Sequence, residues 1–350
     1  MNIFLKGKRF LILFSLFLFS VIGVSSSFPE DNKKQVKAPF WPTPPAETRI
    51  RFVSSFSSPE DIGVPGGGFF KRVRDLLIGR RSRKMVRPYG IAIGPGGNRI
   101  YVSDPGLGVV HIFDRRKHSY SMLSAGGGDK FVSPIGVALD DKGRLFVSDT
   151  KLRKVFVFNN KLKYLFSLGD RENLQRPTGI VFTQGKLYVV DTSGHQVVVY
   201  DGEGNYLFRF GRRGSGDGTF NFPTGITASA AGRLYINDSM NFRIQVFNLE
   251  GKFLSIIGGP GDSSGYFSRP KGVALDSDDN LYVVDALFDT VQIFNREGRF
   301  LLNFGEAGEK EGEFWLPAGI AIDKQDRIYV ADSYNRRIQI FQYLSRGSIP

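Results

Sequence analysis

The stretch PAGIAIDKQDRIYVADSYNRRIQIF, residues 317–341, decides the fold. It begins with Pro-x-Gly and an apolar pair, turns, continues as an apolar run that ends in Asp332, and closes with Arg-Ile-Gln-Ile-Phe. Short runs rich in β-branched and aromatic residues, separated by polar turns, are typical of β-strands. The stretch therefore predicts three short strands joined by tight hairpins.

The same pattern occurs six times along the chain, at a spacing of 43 to 47 residues. The second apolar run of each copy ends in an aspartate, and a fourth strand follows in most copies, as in Tyr206–Gly211. Four strands in a period of this length predict one blade of a β-propeller. The Pro-x-Gly positions are Pro88/Gly90, Pro134/Gly136, Pro177/Gly179, Pro223/Gly225, Pro270/Gly272 and Pro317/Gly319, and the aspartates are Asp104, Asp149, Asp191, Asp238, Asp285 and Asp332.

The last copy has only three strands before the short remainder Gln342–Pro350. Its fourth strand is predicted at the other end of the chain, where Arg49–Phe56 precedes the first copy. Pairing of this strand with Arg337–Phe341 would close the ring and protect the edge of the last blade. The predicted fold is therefore all-β, a six-bladed propeller of four-stranded antiparallel blades, closed by an N-terminal strand in the last blade.

The motif Tyr-Val-x-Asp-Ser-x-Asn-x-Arg-Ile-Gln-x-Phe resembles the NHL repeat. Its closest copies begin at Asp238 and Asp332, and the resemblance extends over about Arg49 to Phe341. Blades one, two, three and five depart from it after the aspartate, as in Asp104-Pro-Gly-Leu-Gly. The resemblance implies a six-bladed propeller of the exported bacterial type. Some propellers of this kind are metal-dependent lactonases or lyases, and others bind RNA.

The N-terminal residues predict export. A basic start, an apolar run of 15 residues (Phe10–Val24) and three serines make residues 1–27 a signal peptide, with a periplasmic destination. The alternative is an uncleaved N-terminal membrane anchor. Residues 28–48 are polar and Pro-rich, which predicts an extended linker before the propeller at 49–343 and a tail at 344–350. The chain has no cysteine, so disulfides and thiol chemistry are excluded.

Residues 57–87 interrupt the repeat with a segment far longer than the other connections between blades. Phe69, Phe70, Val73, Leu76 and Leu77 recur at helical spacing, which predicts a short amphipathic helix. Of the net charge of +13, +7 lies in Phe69–Arg87. This segment either binds an anionic surface, such as lipid headgroups, an acidic polymer or an acidic protein, or caps the propeller with its charges solvated. Its basic residues are Lys71, Arg72, Arg74, Arg80, Arg81, Arg83, Lys84 and Arg87.

The sequence offers no catalytic, metal or cofactor constellation. The three histidines, His111, His118 and His195, fall in two blades at outer positions, so no metal site drawn from several blades is expected. The repeated aspartate of each blade is predicted to cap its hairpin by accepting backbone N–H bonds, not to act in catalysis.

A ligand is expected at the mouth of the central channel, where propellers usually engage one. Sixfold pseudo-symmetry places the middle residue of each Pro-x-Gly near the innermost strand. These residues are Tyr89, Ile135, Thr178, Thr224, Lys271 and Ala318. Tyr89, Thr178, Thr224 and Lys271 are the candidate ligand-binding residues.

The leading hypothesis is an exported, non-enzymatic binding or scaffold protein. Its partner would be an envelope protein or anionic polymer, recognised by propeller loops and by the basic segment, with peripheral membrane contact as a further possibility. The alternatives are a channel-mouth hydrolase or lyase and, third, an RNA-binding propeller. Most of the positive charge lies outside the propeller body, which counts against nucleic acid as the partner.

Overall fold

The computed structural model describes residues 38–43, 45–64, 83–169 and 174–344. Six antiparallel sheets are arranged as the blades of a propeller, and each blade is named here by its order in the repeat. The six-bladed all-β prediction is confirmed. Strands are given from the innermost to the outermost. Blade 1 consists of Ile91–Ile93, Arg99–Asp104, Val109–Asp114 and Ser119–Leu123; blade 2 of Pro134–Leu139, Leu145–Asp149, Lys154–Phe158 and Tyr164–Leu168; blade 3 of Pro177–Thr183, Lys186–Asp191, Gln196–Asp201 and Tyr206–Phe210.

The remaining blades follow the same order. Blade 4 consists of Pro223–Ala228, Arg233–Asp238, Arg243–Asn248 and Phe253–Ile257; blade 5 of Pro270–Leu275, Leu281–Asp285, Thr290–Phe294 and Phe300–Phe304; blade 6 of Ile320–Ile322, Arg327–Asp332, Arg337–Tyr343, Ile50–Phe56 and Phe40–Trp41. A two-stranded hairpin, Ala125–Gly126 with Asp129–Lys130, follows blade 1. The described connections also contain short 3-10 helices at Pro59–Ile62, Pro95–Gly97 and Ser239–Asn241. Within the described ranges, no helix has the length and hydropathy that a membrane span requires.

The two ends of the chain meet in blade 6, as predicted. Strand Ile50–Phe56 pairs antiparallel with Arg337–Tyr343, so that Phe52 lies opposite Phe341. A fifth strand, Phe40–Trp41, pairs outside it, in the segment where an extended linker is predicted. The Trp41 ring lies 5.8 Å from both Phe304 and Phe341, so it packs between blades 5 and 6. This apolar contact is the physical reason that part of the linker joins the sheet.

The glycine of each Pro-x-Gly lets neighbouring innermost strands approach closely. A Cβ built on Gly90 would lie 2.2 Å from the carbonyl oxygen of Ile135 in the next blade, and one on Gly319 would lie 1.9 Å from that of Tyr89. The same clash recurs at the four other blade junctions. None of the six has a positive φ, so the requirement is for space and not for an unusual backbone conformation. The innermost strands of neighbouring blades therefore lie close together at all six junctions of the ring.

Large aromatic residues fill the space between blades. Tyr188, Tyr235, Tyr282 and Tyr329 occupy equivalent positions on the second strands of blades 3 to 6 and are all at least 98% buried. Tyr235, for example, packs in one cluster with Val273 and Leu281 of the next blade. Burial of one large apolar side chain stabilises the folded state by about 1.5–3 kcal/mol. Because each blade packs against a neighbouring blade on both of its faces, both faces carry apolar residues.

The long connection between blades 6 and 1 is held at both of its described ends. Met85 is 1% exposed, its N–H donates to the oxygen of Ser57, and Arg83 pairs with Glu60 at 3.0 Å. The described end of this segment is therefore packed against the propeller. The predicted amphipathic helix lies outside the described residues.

Candidate ligand-binding face around the central channel

One face of the propeller is formed by the Pro-x-Gly turns and by the hairpins that follow the repeated aspartates; we call it the axial face. At its centre is a cavity of about 100 Å³. Five of the six middle residues of Pro-x-Gly line this cavity: Tyr89, Ile135, Thr224, Lys271 and Ala318. Three of the four candidate binding residues, Tyr89, Thr224 and Lys271, therefore lie together at this cavity.

Thr178, the fourth candidate, does not line the cavity. It is 6% exposed, and its hydroxyl donates to the Thr224 carbonyl at 3.0 Å and lies 2.8 Å from the Thr192 hydroxyl. The hydroxyl of Thr224 is likewise held between Ser239 and Asn237, at 2.7 and 2.9 Å. The Thr178 hydroxyl therefore links blade 3 to blade 4, and the Thr224 hydroxyl is engaged within blade 4. Tyr89 and Lys271 remain as the polar groups of the mouth.

Three arginines surround these two residues. Each stands immediately before the proline of a Pro-x-Gly: Arg87 in blade 1, Arg176 in blade 3 and Arg269 in blade 5. All three are exposed, and the even-numbered blades have Ser133, Phe222 and Leu316 at this position. The arrangement is a pseudo-threefold set of guanidinium groups around the channel. Of these arginines, only Arg87 is among the sequence-predicted site residues, although the repeated offset was visible in the sequence.

The electrostatics of the mouth follow from this set. Burial, together with the nearby charges of Arg269 and Arg87, lowers the pKa of Lys271 to about 8. Asp289 acts in the opposite direction, but its carboxylate accepts the N–H of Leu316 at 2.6 Å, and burial raises its own pKa. Burial also raises the pKa of Tyr89, whereas the charges of Arg176 and Arg269 lower it by less.

None of the four cations has a carboxylate partner among the residues that the structure describes. Arg87 instead stacks over the ring of Tyr334, with 5.8 Å between the guanidinium carbon and the ring centroid. The mouth therefore presents three guanidinium groups and one ammonium group to solvent with little compensating negative charge. An arrangement of this kind attracts anions.

Exposed aromatic side chains lie on the same face. Trp315 and Tyr334 are each 46% exposed and their ring centroids lie 5.6 Å apart. Phe222, 39% exposed, packs against His195 at 4.6 Å. Aromatic residues and arginine are enriched in protein interfaces because they provide large, rigid contact areas.

The repeated aspartates are fully occupied by structural hydrogen bonds. All six are 0% exposed. Asp238 accepts the N–H of Asn221 at 2.6 Å, the Nε–H of Arg243 at 2.9 Å and an amide N–H of Gln245 at 3.0 Å. Equivalent backbone bonds tie the other five to the segment before the Pro-x-Gly of the same blade. Capping, the predicted role, is therefore their role in the structure, and it extends beyond the hairpin to the loop between blades.

The histidines lie away from the channel lining. His111 is buried, with its ring nitrogens 2.8 Å from the Tyr120 hydroxyl and 3.2 Å from Asp104. His195 is 7% exposed and has its Nδ1 3.2 Å from the Phe220 carbonyl, and His118 is exposed in a turn. In the described part of the chain, no three His, Cys, Asp or Glu residues are grouped as metal ligands would be.

The structure separates the predicted basic residues. Lys71, Arg72, Arg74, Arg80 and Arg81 lie outside the described residues. Arg83 pairs with Glu60 and stacks over Tyr120 at 5.3 Å, and Lys84 is exposed. Arg87 alone of the described three lies on the axial face, so the ligand-binding face and the basic segment meet at this residue.

Comparisons with known families agree with the fold. The NHL repeat matches residues 314–341, and a family described as a 6-bladed beta-propeller matches residues 169–253. The architecture and these matches define a six-bladed β-propeller protein. Its last repeat matches the NHL repeat, which agrees with the resemblance seen in the sequence motif.

Solved structures share the fold at low identity. A Bacteroides thetaiotaomicron structural genomics protein of unknown function is 16% identical, with a TM-score of 0.62 over 84% of this chain and 75% of its own. An auxiliary nutrient binding protein from the same organism is 16% identical, with a TM-score of 0.59 over 75% and 70%. A streptogramin B lyase is 13% identical, with a TM-score of 0.57 over 74% and 94%. No curated protein sequence matches the chain.

Proposed function

We propose that this chain is an exported, non-enzymatic binding protein that recognises an acidic envelope protein or anionic polymer through its axial face. The observation that carries the proposal is the set of four cations around the mouth, Arg87, Arg176, Arg269 and Lys271, which have no carboxylate partner among the described residues. Charge complementarity of this kind speeds association and selects the partner.

The chemistry of the face supports binding more than catalysis. The six buried aspartates that could have supplied carboxylates are all engaged in capping bonds. Exposed Trp315 and Tyr334 next to Arg87 offer the aromatic and arginine contacts that dominate protein interfaces. Export rests on the composition of residues 1–27, and a periplasmic location is part of the proposal.

Neutralising the arginine set is expected to weaken partner binding roughly 100-fold, because each lost contact contributes about 1 kcal/mol. The variant is R87Q/R176Q/R269Q, and the measurement is retention of envelope-fraction proteins and of poly-L-glutamate on the immobilised chain at low salt. The matched control, R51Q/R209Q/R296Q, removes three exposed arginines from strands and turns away from the axial face. Equal retention by the two variants would contradict the proposal.

Binding is expected to weaken roughly fivefold between pH 7 and pH 9, about the 1 kcal/mol of one charged contact. The pKa of Lys271 is lowered to about 8, so its ammonium group is present at pH 7 and is lost as the pH rises through 8, while the arginines stay charged. A titration of poly-L-glutamate binding checks this. Lys271→Arg should remove the pH dependence in this window, and a dependence that survives the substitution would assign it to another group.

A second candidate function is an enzyme acting at the mouth. One observation favours it: a half-buried lysine of lowered pKa, beside a tyrosine, is also suited to nucleophilic chemistry. Metal analysis of protein purified without chelator, together with a screen of lactone and ester turnover, separates the two functions. A stoichiometric divalent cation and turnover abolished by Lys271→Met would favour the enzyme.

RNA binding is the third candidate, because arginines beside exposed aromatic rings also suit single-stranded nucleic acid. It conflicts with the export proposal. Binding of single-stranded RNA at low salt that decreases steeply with added salt would favour it.

A further inference from the structure

A large open recess lies between blades 6 and 1, away from the axial cavity. Its volume is about 580 Å³. Ser54 and Ser55 of the outer strand of blade 6 line it, as do Arg115 and Arg116 of the turn between the two outer strands of blade 1. Arg327 of blade 6, Asp61 and His118 are among the other lining residues. We call this recess the seam pocket, because it lies where the ring closes.

The charges in the seam pocket are not balanced. Arg115 and Arg116 have no carboxylate partner within the described residues, whereas Arg327 donates to Asp323 at 2.7 Å. Asp61 is the one lining carboxylate, and it accepts the N–H groups of Ser57 and Ser58 at 2.7 and 2.8 Å. Burial opposes ionisation of Asp61, but these hydrogen bonds lower its pKa on balance, so its negative charge is engaged within its own turn.

Neighbouring recesses between blades differ in charge. The recess between blades 1 and 2, about 350 Å³, is lined by three basic residues and by Asp114 and Asp141. The recess between blades 2 and 3, about 250 Å³, is lined by two basic residues and three acidic ones, Asp140, Asp141 and Glu203. The architecture produces a recess at each of these junctions, but the seam pocket is the largest of the three and the one with a clear excess of cations.

We propose that the seam pocket is a second binding site, for a soluble anion that carries two or more phosphate groups. Ligand pockets commonly have volumes of about 300–1,000 Å³, so a molecule of nucleotide or sugar-phosphate size fits the recess. Guanidinium groups match phosphate oxygens in a bidentate manner, which suits Arg115 and Arg116 as phosphate-binding residues. The hydroxyl groups of Ser54 and Ser55, which also line the recess, add neutral donors.

Inorganic tripolyphosphate is the probe, and isothermal titration of the full chain at low salt is the measurement. The double variant R115A/R116A is expected to weaken tripolyphosphate binding at this site at least 10-fold. The control R209A/R296A removes two exposed arginines elsewhere and is expected to bind as the parent does. Unchanged thermal melting of both variants establishes that the fold is intact.

The axial face also carries cations, so the experiment includes the variant R87Q/R176Q/R269Q. The seam proposal requires that this variant keep one tripolyphosphate site and that addition of R115A/R116A remove it. If the axial variant loses all binding, or if R115A/R116A binds as the parent does, the seam proposal is overturned. Neither result would affect recognition of an acidic partner by the axial face, so the two proposals fail independently.

Discussion

Replacing Asp238 by alanine is expected to lower the free energy of unfolding by about 4 kcal/mol, because removal of one partner of a buried ion pair costs about 3–5 kcal/mol. The carboxylate is 0% exposed and accepts bonds from Arg243, Gln245 and the N–H of Asn221. In the variant, these three donors are left without their acceptor in the interior. Urea-induced unfolding followed by tryptophan fluorescence measures the change.

Asp217→Ala is the matched control, since Asp217 is exposed in the connection that leads into the same blade and accepts no hydrogen bond from the described residues. It is expected to change the unfolding free energy by less than about 0.5 kcal/mol. Should Asp238→Ala be as stable as this control, the aspartate ring would not be structural, and a role in ligand binding or catalysis would have to be reconsidered.

Gly319→Ala is expected to destabilise the protein by about 3 kcal/mol, near the upper end of what overpacking typically costs. The added methyl group would lie 1.9 Å from the carbonyl oxygen of Tyr89, at the junction where blade 6 meets blade 1. Both atoms belong to or branch directly from the backbone, so a rotamer change cannot relieve the clash. Urea-induced unfolding again provides the measurement.

Gly216→Ala tests whether any glycine substitution would have the same effect. A Cβ at Gly216 meets nothing within 4 Å, and its φ is not in the left-handed region. It is expected to be neutral or slightly stabilising, because alanine restricts the unfolded chain. Equal stability of Gly319→Ala and Gly216→Ala would mean that the innermost strands are farther apart than described here.

The ring itself was predictable because its signals are local and periodic. The Pro-x-Gly turn and the buried aspartate recur in register, and each has one physical role at every junction: close approach at the axis and capping of a loop. The phase of the repeat then required a fourth strand for blade 6, and the pairing of Phe52 with Phe341 confirms it.

The side chains of the candidate site were less predictable. Pseudo-symmetry predicts the positions of backbone atoms, but the orientation of the Thr178 side chain depends on the acceptors around it. Its hydroxyl donates to the Thr224 carbonyl of the next blade instead of lining the cavity. The sequence shows Arg87, Arg176 and Arg269 as separate residues. Only the closed ring, in which alternate blades surround one channel, shows that they form one set of cations. A strand as short as Phe40–Trp41 has no detectable period, and its position depends on the contact of Trp41 with two distant phenylalanines.

The shared sixth blade has a consequence for how the protein folds. Phe52 and Phe341 are neighbours in the sheet, yet almost the whole repeat array separates them along the chain. On a ribosome, the early strand must remain unmatched until the final module has been synthesised. Ring completion is therefore a late, slow event of high contact order, and the exposed strand needs protection from aggregation until it occurs.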